Sequence, residues 1–125
     1  MAKFLVYATA VVFFFYGFLF AIFSAEMSVW ATGASPSTPS GMIDLRATYG
    51  GAQMAIGAVL LYLAAVRKEL DTALVMVAFV LLLMAASRTL GIFTDGEPNI
   101  LMYVFLSTEV GFGVLALIVR EKISD

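Results

Sequence analysis

Arg88 and Glu109 are the residues of this 125-residue chain best placed to do chemistry, because each lies inside an otherwise apolar run, 72–93 and 100–119 respectively. An ionised group at the depth of a bilayer costs ~2.5–3.5 kcal/mol even on the lenient insertion scale, so such residues face protein, find partners and mark a site. A carboxylate there is a candidate proton carrier or acid–base group, and a guanidinium can meet the polar head of an amphiphile. A second set follows in the preceding apolar run, where Arg46, Tyr49, Gly50, Gln53 and Gly57 recur at helical spacing and form one polar, small-residue face. The chain has no Cys and no His, which removes disulfides, thiolate nucleophiles, thiolate metal sites and imidazole chemistry. No residue is therefore assigned a catalytic or metal-ligating role.

The elements that must position these residues follow from composition. Hydrophobic residues make up 62% of the chain and charged residues 13%, with a mean hydropathy of +1.02, against about 25% charged residues in soluble domains. Four apolar runs, 4–23, 45–66, 72–93 and 100–119, each approach the ~20 residues that span a bilayer. No alternation of period two appears, so helices must satisfy the backbone in lipid. The fold class expected is all-α: an integral membrane, four-helix antiparallel bundle, one domain over 1–125 with helices at about 4–30, 43–67, 71–93 and 98–120. The first run is read as a span, not a cleaved signal peptide, because its apolar stretch exceeds the roughly 7–15 residues of such a signal and lacks a small-x-small cleavage site.

Five of the seven basic residues, Lys3, Arg67, Lys68, Arg120 and Lys122, fall at the two termini and in the second loop. Four spans put these on one side, and the positive-inside rule makes that side cytoplasmic. The first and third loops then face outward, and the Ser-, Thr-, Gly- and Pro-rich segment 31–41 is a flexible cover or a mere connector, the connector being the preferred reading. Asp71 is expected to cap the third helix, and Asp44 to pair with Arg46. Counting ~1.5 Å per residue from the outer boundary puts Glu109 roughly 15 Å down and Arg88 about 8 Å down. Side chains lean toward the N-terminus of their own helix, so these two lean toward each other, and an Arg88–Glu109 ion pair is expected.

Gly50, Gly51, Gly57, Gly111 and Gly113 are read as helix-packing positions where a neighbouring backbone can come close. Arg46, Tyr49, Gln53, Arg88 and Glu109 are read as ligand-binding residues. The competing reading is structural, with the charged pair fixing the register of similar helices. The net charge of −2 argues against a nucleic-acid partner.

The string Asp44-Leu45-Arg46-Ala47-Thr48-Tyr49-Gly50-Gly51 and Gln53, with Arg88, Asp95-Gly96 and Glu109 after it, resembles a family of small bacterial membrane proteins of unknown function. The likeness runs over nearly the whole chain, with Arg-Ala-x-Tyr-Gly-Gly as its most specific part. A fainter similarity links it to the DoxX-like group of four-helix proteins. The resemblance implies a multi-pass protein of the bacterial cytoplasmic membrane. The function expected is binding of a small amphiphile (lipid, isoprenoid or quinone) in a polar pocket opening to the periplasmic side, with a bound lipid or quinone the sole cofactor considered. The alternative is an accessory subunit or homo-oligomer whose partners are other membrane subunits or copies of itself. Proton movement through Glu109, or an isomerase using it as acid–base, ranks behind both.

Overall fold

The computed structural model of the chain describes residues 1–124. It is all-α: α1 (Ala2–Ile22), α2 (Ser24–Thr32), α3 (Pro39–Leu45), α4 (Gln53–Leu61), α5 (Leu70–Thr94) and α6 (Ile100–Ser124). A π-helical stretch, Arg46–Ala52, joins α3 to α4, and a second, Tyr62–Val66, prolongs α4, so that Pro39–Val66 is one span of 28 residues. With α1, α5 and α6 this makes four helices long and apolar enough to cross a membrane. In the apolar windows of these spans only 33, 22, 33 and 22% of the residues are buried, and the remainder presents large side chains such as Phe15, Val59, Leu83 and Ile118 outward. A surface of that kind suits acyl chains as solvent and not water.

The chain divides into two compact units, Tyr7–Tyr62, and Met1–Val6 together with the chain from Leu63 onward. Within the first, α1 and the 39–66 span run antiparallel at very close range. A Cβ on Gly57 would lie 2.6 Å from the Ala10 carbonyl oxygen, one on Gly17 2.6 Å from the Gly50 carbonyl oxygen, and one on Gly50 2.9 Å from the Ala21 Cα. Only glycine admits backbones at such separations, which is how small-residue patterns hold helices together in lipid.

In the second unit α5 and α6 also run antiparallel, joined by the turn 95–99. Gly96 takes φ +109°, a conformation open to glycine, and the Asn99 side chain accepts from the Met102 N–H at 3.2 Å, capping α6. Three contacts fix the register: Asp71 with Arg120 at 2.8 Å, Arg88 with Glu109 at 2.8 Å, and Gly113 against Leu82, so close that a Cβ on the glycine would lie 2.8 Å from the leucine side chain. Asp71 does not cap α5 as its position suggested. The cap position is Glu69, without a side-chain bond, and Asp71 turns to Arg120. The chain enters α5 through a hydrogen bond from the Glu69 N–H to the Leu63 carbonyl six residues back, with Lys68 at φ 60° in the left-handed region that glycine favours.

The first loop departs from a plain connector. Helix α1 breaks at Phe23 (φ −115°, ψ 52°), and α2 follows at once, ending on Gly33 at φ 89°. Ser28 and Thr32 hydroxyls donate to the Ala34 carbonyl, and Thr38 with Pro39 starts α3 by accepting from the Gly41 N–H at 3.0 Å. Irregular backbone is thereby limited to 33–38, and its polar groups are partly satisfied by these hydroxyls.

Candidate functional site

Arg88 lies near the end of α5 and Glu109 in the first half of α6, and the antiparallel register brings them opposite each other. The Arg88 Nε donates to Glu109 Oε1 and its Nη2 donates to Oε2, both at 2.8 Å. Two parallel bonds in a planar fork make the strongest arrangement open to these groups. The Arg88 Nη1 donates to the Met102 Sδ at 3.2 Å, and the guanidinium carbon sits 5.3 Å from the centre of the Phe105 ring. Glu109, Phe105 and Met102 fall on one face of α6 at spacings of four and three. That face forms a socket of carboxylate, ring and thioether for one guanidinium.

The pair is unequally covered. The Glu109 side chain is 6% exposed and that of Arg88 21%. The carboxylate is nearly covered, while the arginine side chain keeps about a fifth of its surface exposed. Nearby hydroxyls are locally engaged: Thr89 donates to the Ala85 carbonyl, Ser107 to Tyr103 and Thr108 to Phe105. Along the same stretches of α5 and α6, Leu90, Phe93, Tyr103 and Val104 are exposed. The ion pair that depth counting led us to expect is thus present, as a charged contact set in an apolar exterior.

The other candidates lie in the 7–62 unit. Arg46 does not pair with Asp44; its Nη1 donates to the Ala21 carbonyl oxygen. That carbonyl belongs to the last turn of α1, whose orphan acceptors need partners because the helix stops at Phe23, and the Ser24 hydroxyl likewise bonds the Phe20 carbonyl. Tyr49 stacks on the buried Phe20 ring at 5.3 Å, with Tyr16 on the same ring at 4.9 Å. Gln53 and Gly50 meet Gly17 and Ala21, and Gly57 meets Ala10 and Phe14. The face 46, 49, 50, 53, 57 is therefore turned onto α1, and the string Arg46–Ala52 that resembles a family motif is the π-helical stretch itself. A π turn widens the helix by one residue and recurs at functional sites. No periodicity in the sequence marks it.

Among the packing candidates Gly50, Gly57 and Gly113 sit at close approaches, and Gly51 and Gly111 meet nothing within 4 Å. Gly17, the partner of the 39–66 span, lies inside the aromatic run Phe13-Phe14-Phe15-Tyr16-Gly17-Phe18 and is not among the packing positions expected from the sequence. Its spacing of four from Ala21 was the available signal.

These features define a multi-pass membrane protein with four long apolar helices and an intramembrane charge pair. The chain belongs to the family described as Domain of unknown function (DUF4345), whose model matches residues 1–120. No curated protein and no solved structure matches it.

Proposed function

We propose that the α5–α6 pair anchors a small amphiphile, a lipid, isoprenoid or quinone, in a protein of the bacterial cytoplasmic membrane. Both termini face the cytoplasm on this reading and the site opens toward the periplasmic side. The observation that carries it is the unequal cover of the pair: an arginine side chain held by both oxygens of a nearly covered carboxylate keeps 21% of its own surface exposed, on a span whose exterior is apolar. Few polar groups at a fixed point in apolar surroundings are what orient an amphiphile by its head. Orientation rests on the basic residues Lys3, Arg67, Lys68, Arg120 and Lys122. Arg46, Tyr49 and Gln53 are given a supporting role, because their contacts go to α1.

The test is native mass spectrometry of protein extracted with its own lipids. Wild type retains a defined amphiphile and the Arg88→Leu/Glu109→Leu double variant, which keeps the helix contact without charge, loses it. Equal retention by the two, or none by wild type, overturns the proposal.

One observation favours a second reading, a subunit of a homo-oligomer or larger membrane complex. Gly51 and Gly111 lie on faces with nothing packed against them, and small residues of that kind admit neighbouring helices in lipid. A discrete oligomer in native lipid that falls apart on Gly111→Leu would support it.

A further inference from the structure

We infer that the Arg88 site selects an uncharged, hydrogen-bonding head group, such as a hydroxyl or carbonyl, over an anionic or a cationic one. This rests on the amphiphile-anchor reading and specifies its ligand. Arginine at membrane depth would ordinarily be taken as a receptor for phosphate or carboxylate. Here its charge is already matched by Glu109, through both carboxylate oxygens.

A neutral head that accepts from the guanidinium leaves the site neutral. An anionic head competes with Glu109 for the same cation and leaves one negative charge in excess beside a carboxylate that is 6% exposed, in surroundings where uncompensated charge is costly. The approach adds to this. Arg88, Gly91 and Asp95 share one face of α5 at spacings of three and four. The Asp95 carboxylate folds back along that face, its Oδ2 lying 3.2 Å from where a Gly91 side chain would begin, and Glu97 follows in the same turn. Two carboxylates at this end of the unit repel an incoming anion. A cation that passed them would meet the guanidinium, since the carboxylate that could balance it is 6% exposed and engaged through both oxygens. A dipolar head avoids both penalties.

The experiment compares three probes with the same oleoyl or oleyl chain on the full-length protein in dodecyl maltoside, read by native mass spectrometry: 1-oleoylglycerol, oleoyl lysophosphatidate and oleylamine. Wild type takes up the glycerol ester at least about tenfold better than either charged probe, the size of effect that charge complementarity commonly supplies. Glu109→Gln, which leaves the guanidinium uncompensated, shifts preference toward lysophosphatidate. The exposed double variant Asp95→Asn/Glu97→Gln, which leaves the pair intact, raises lysophosphatidate uptake without raising that of the glycerol ester, and this holds as a test even where Glu109→Gln does not fold. Lysophosphatidate or oleylamine bound by wild type as well as the neutral probe overturns the selectivity and leaves the anchor standing. Failure of all three to bind overturns the anchor itself.

Discussion

Removing one partner of the Arg88–Glu109 pair strands the other as a bare charge beside Phe105 and Met102, whereas removing both leaves an apolar contact between helices. Arg88→Leu and Glu109→Leu are each expected to lower stability in detergent by about 2–4 kcal/mol, and the double variant to recover most of the loss. Denaturant unfolding of the four proteins closes the cycle. Additive losses would mean that the two residues act separately, against the bidentate geometry. This pair was legible in the sequence because two quantities sufficed, residues counted from the span boundary and the lean of helical side chains toward their N-terminus. Arg46 was not legible in the same way. Its partner is a backbone carbonyl set free by a helix break at Phe23, and neither the break nor the exposed carbonyl leaves a mark on the residues around Arg46.

At the scale of elements, glycine does two different jobs that spacing alone does not separate. Gly57 faces the α1 backbone, where a methyl group would lie 2.6 Å from a carbonyl oxygen, and Gly111 faces nothing within 4 Å on an ordinary helix. Gly57→Ala therefore forces α1 away and is expected to cost roughly 1–3 kcal/mol. Gly111→Ala gains helix propensity without a clash and should add about 0.5–1 kcal/mol. Unfolding curves in one detergent decide both, and a loss at Gly111→Ala in native lipid alone would point to a neighbouring helix on that face. In the sequence Gly50, Gly51, Gly57, Gly111 and Gly113 look alike, each near small or polar residues. The distinction depends on which way a helix is rotated, and the π-helical stretch Arg46–Ala52 alters that rotation without changing any residue type. The four long helices were legible, since length and hydropathy over about 20 residues outweigh local detail. Helix α2 was not set apart from α1, because the chain turns at Phe23, a residue with no breaking tendency of its own.

For the whole molecule the membrane is the solvent, and the distribution of charge decides how the chain enters it. On the proposed topology four spans return the chain to its starting side and put Lys3, Arg67, Lys68, Arg120 and Lys122 on one face of the bilayer, and the loops at 33–38 and 95–99 hold no basic residue. Retention of that basic set in the cytoplasm favours one orientation over its inverse, while Glu97 and Asp95 add little to the choice. The absence of cysteine makes the orientation directly measurable, since any single cysteine introduced is the one thiol in the protein. Ser35→Cys and Glu97→Cys are expected to react with a membrane-impermeant maleimide in intact spheroplasts, and Glu121→Cys only after the membrane is opened. The inverse pattern would put Arg88, which lies toward the 95–99 end of α5, nearer the cytoplasmic side. An amphiphile would then have to be presented to the site from the inner leaflet, and the Asp95 and Glu97 carboxylates would screen cytoplasmic anions instead of periplasmic ones. Labelling at all three positions in intact spheroplasts would mean mixed insertion, which the one-sided placement of five basic residues argues against.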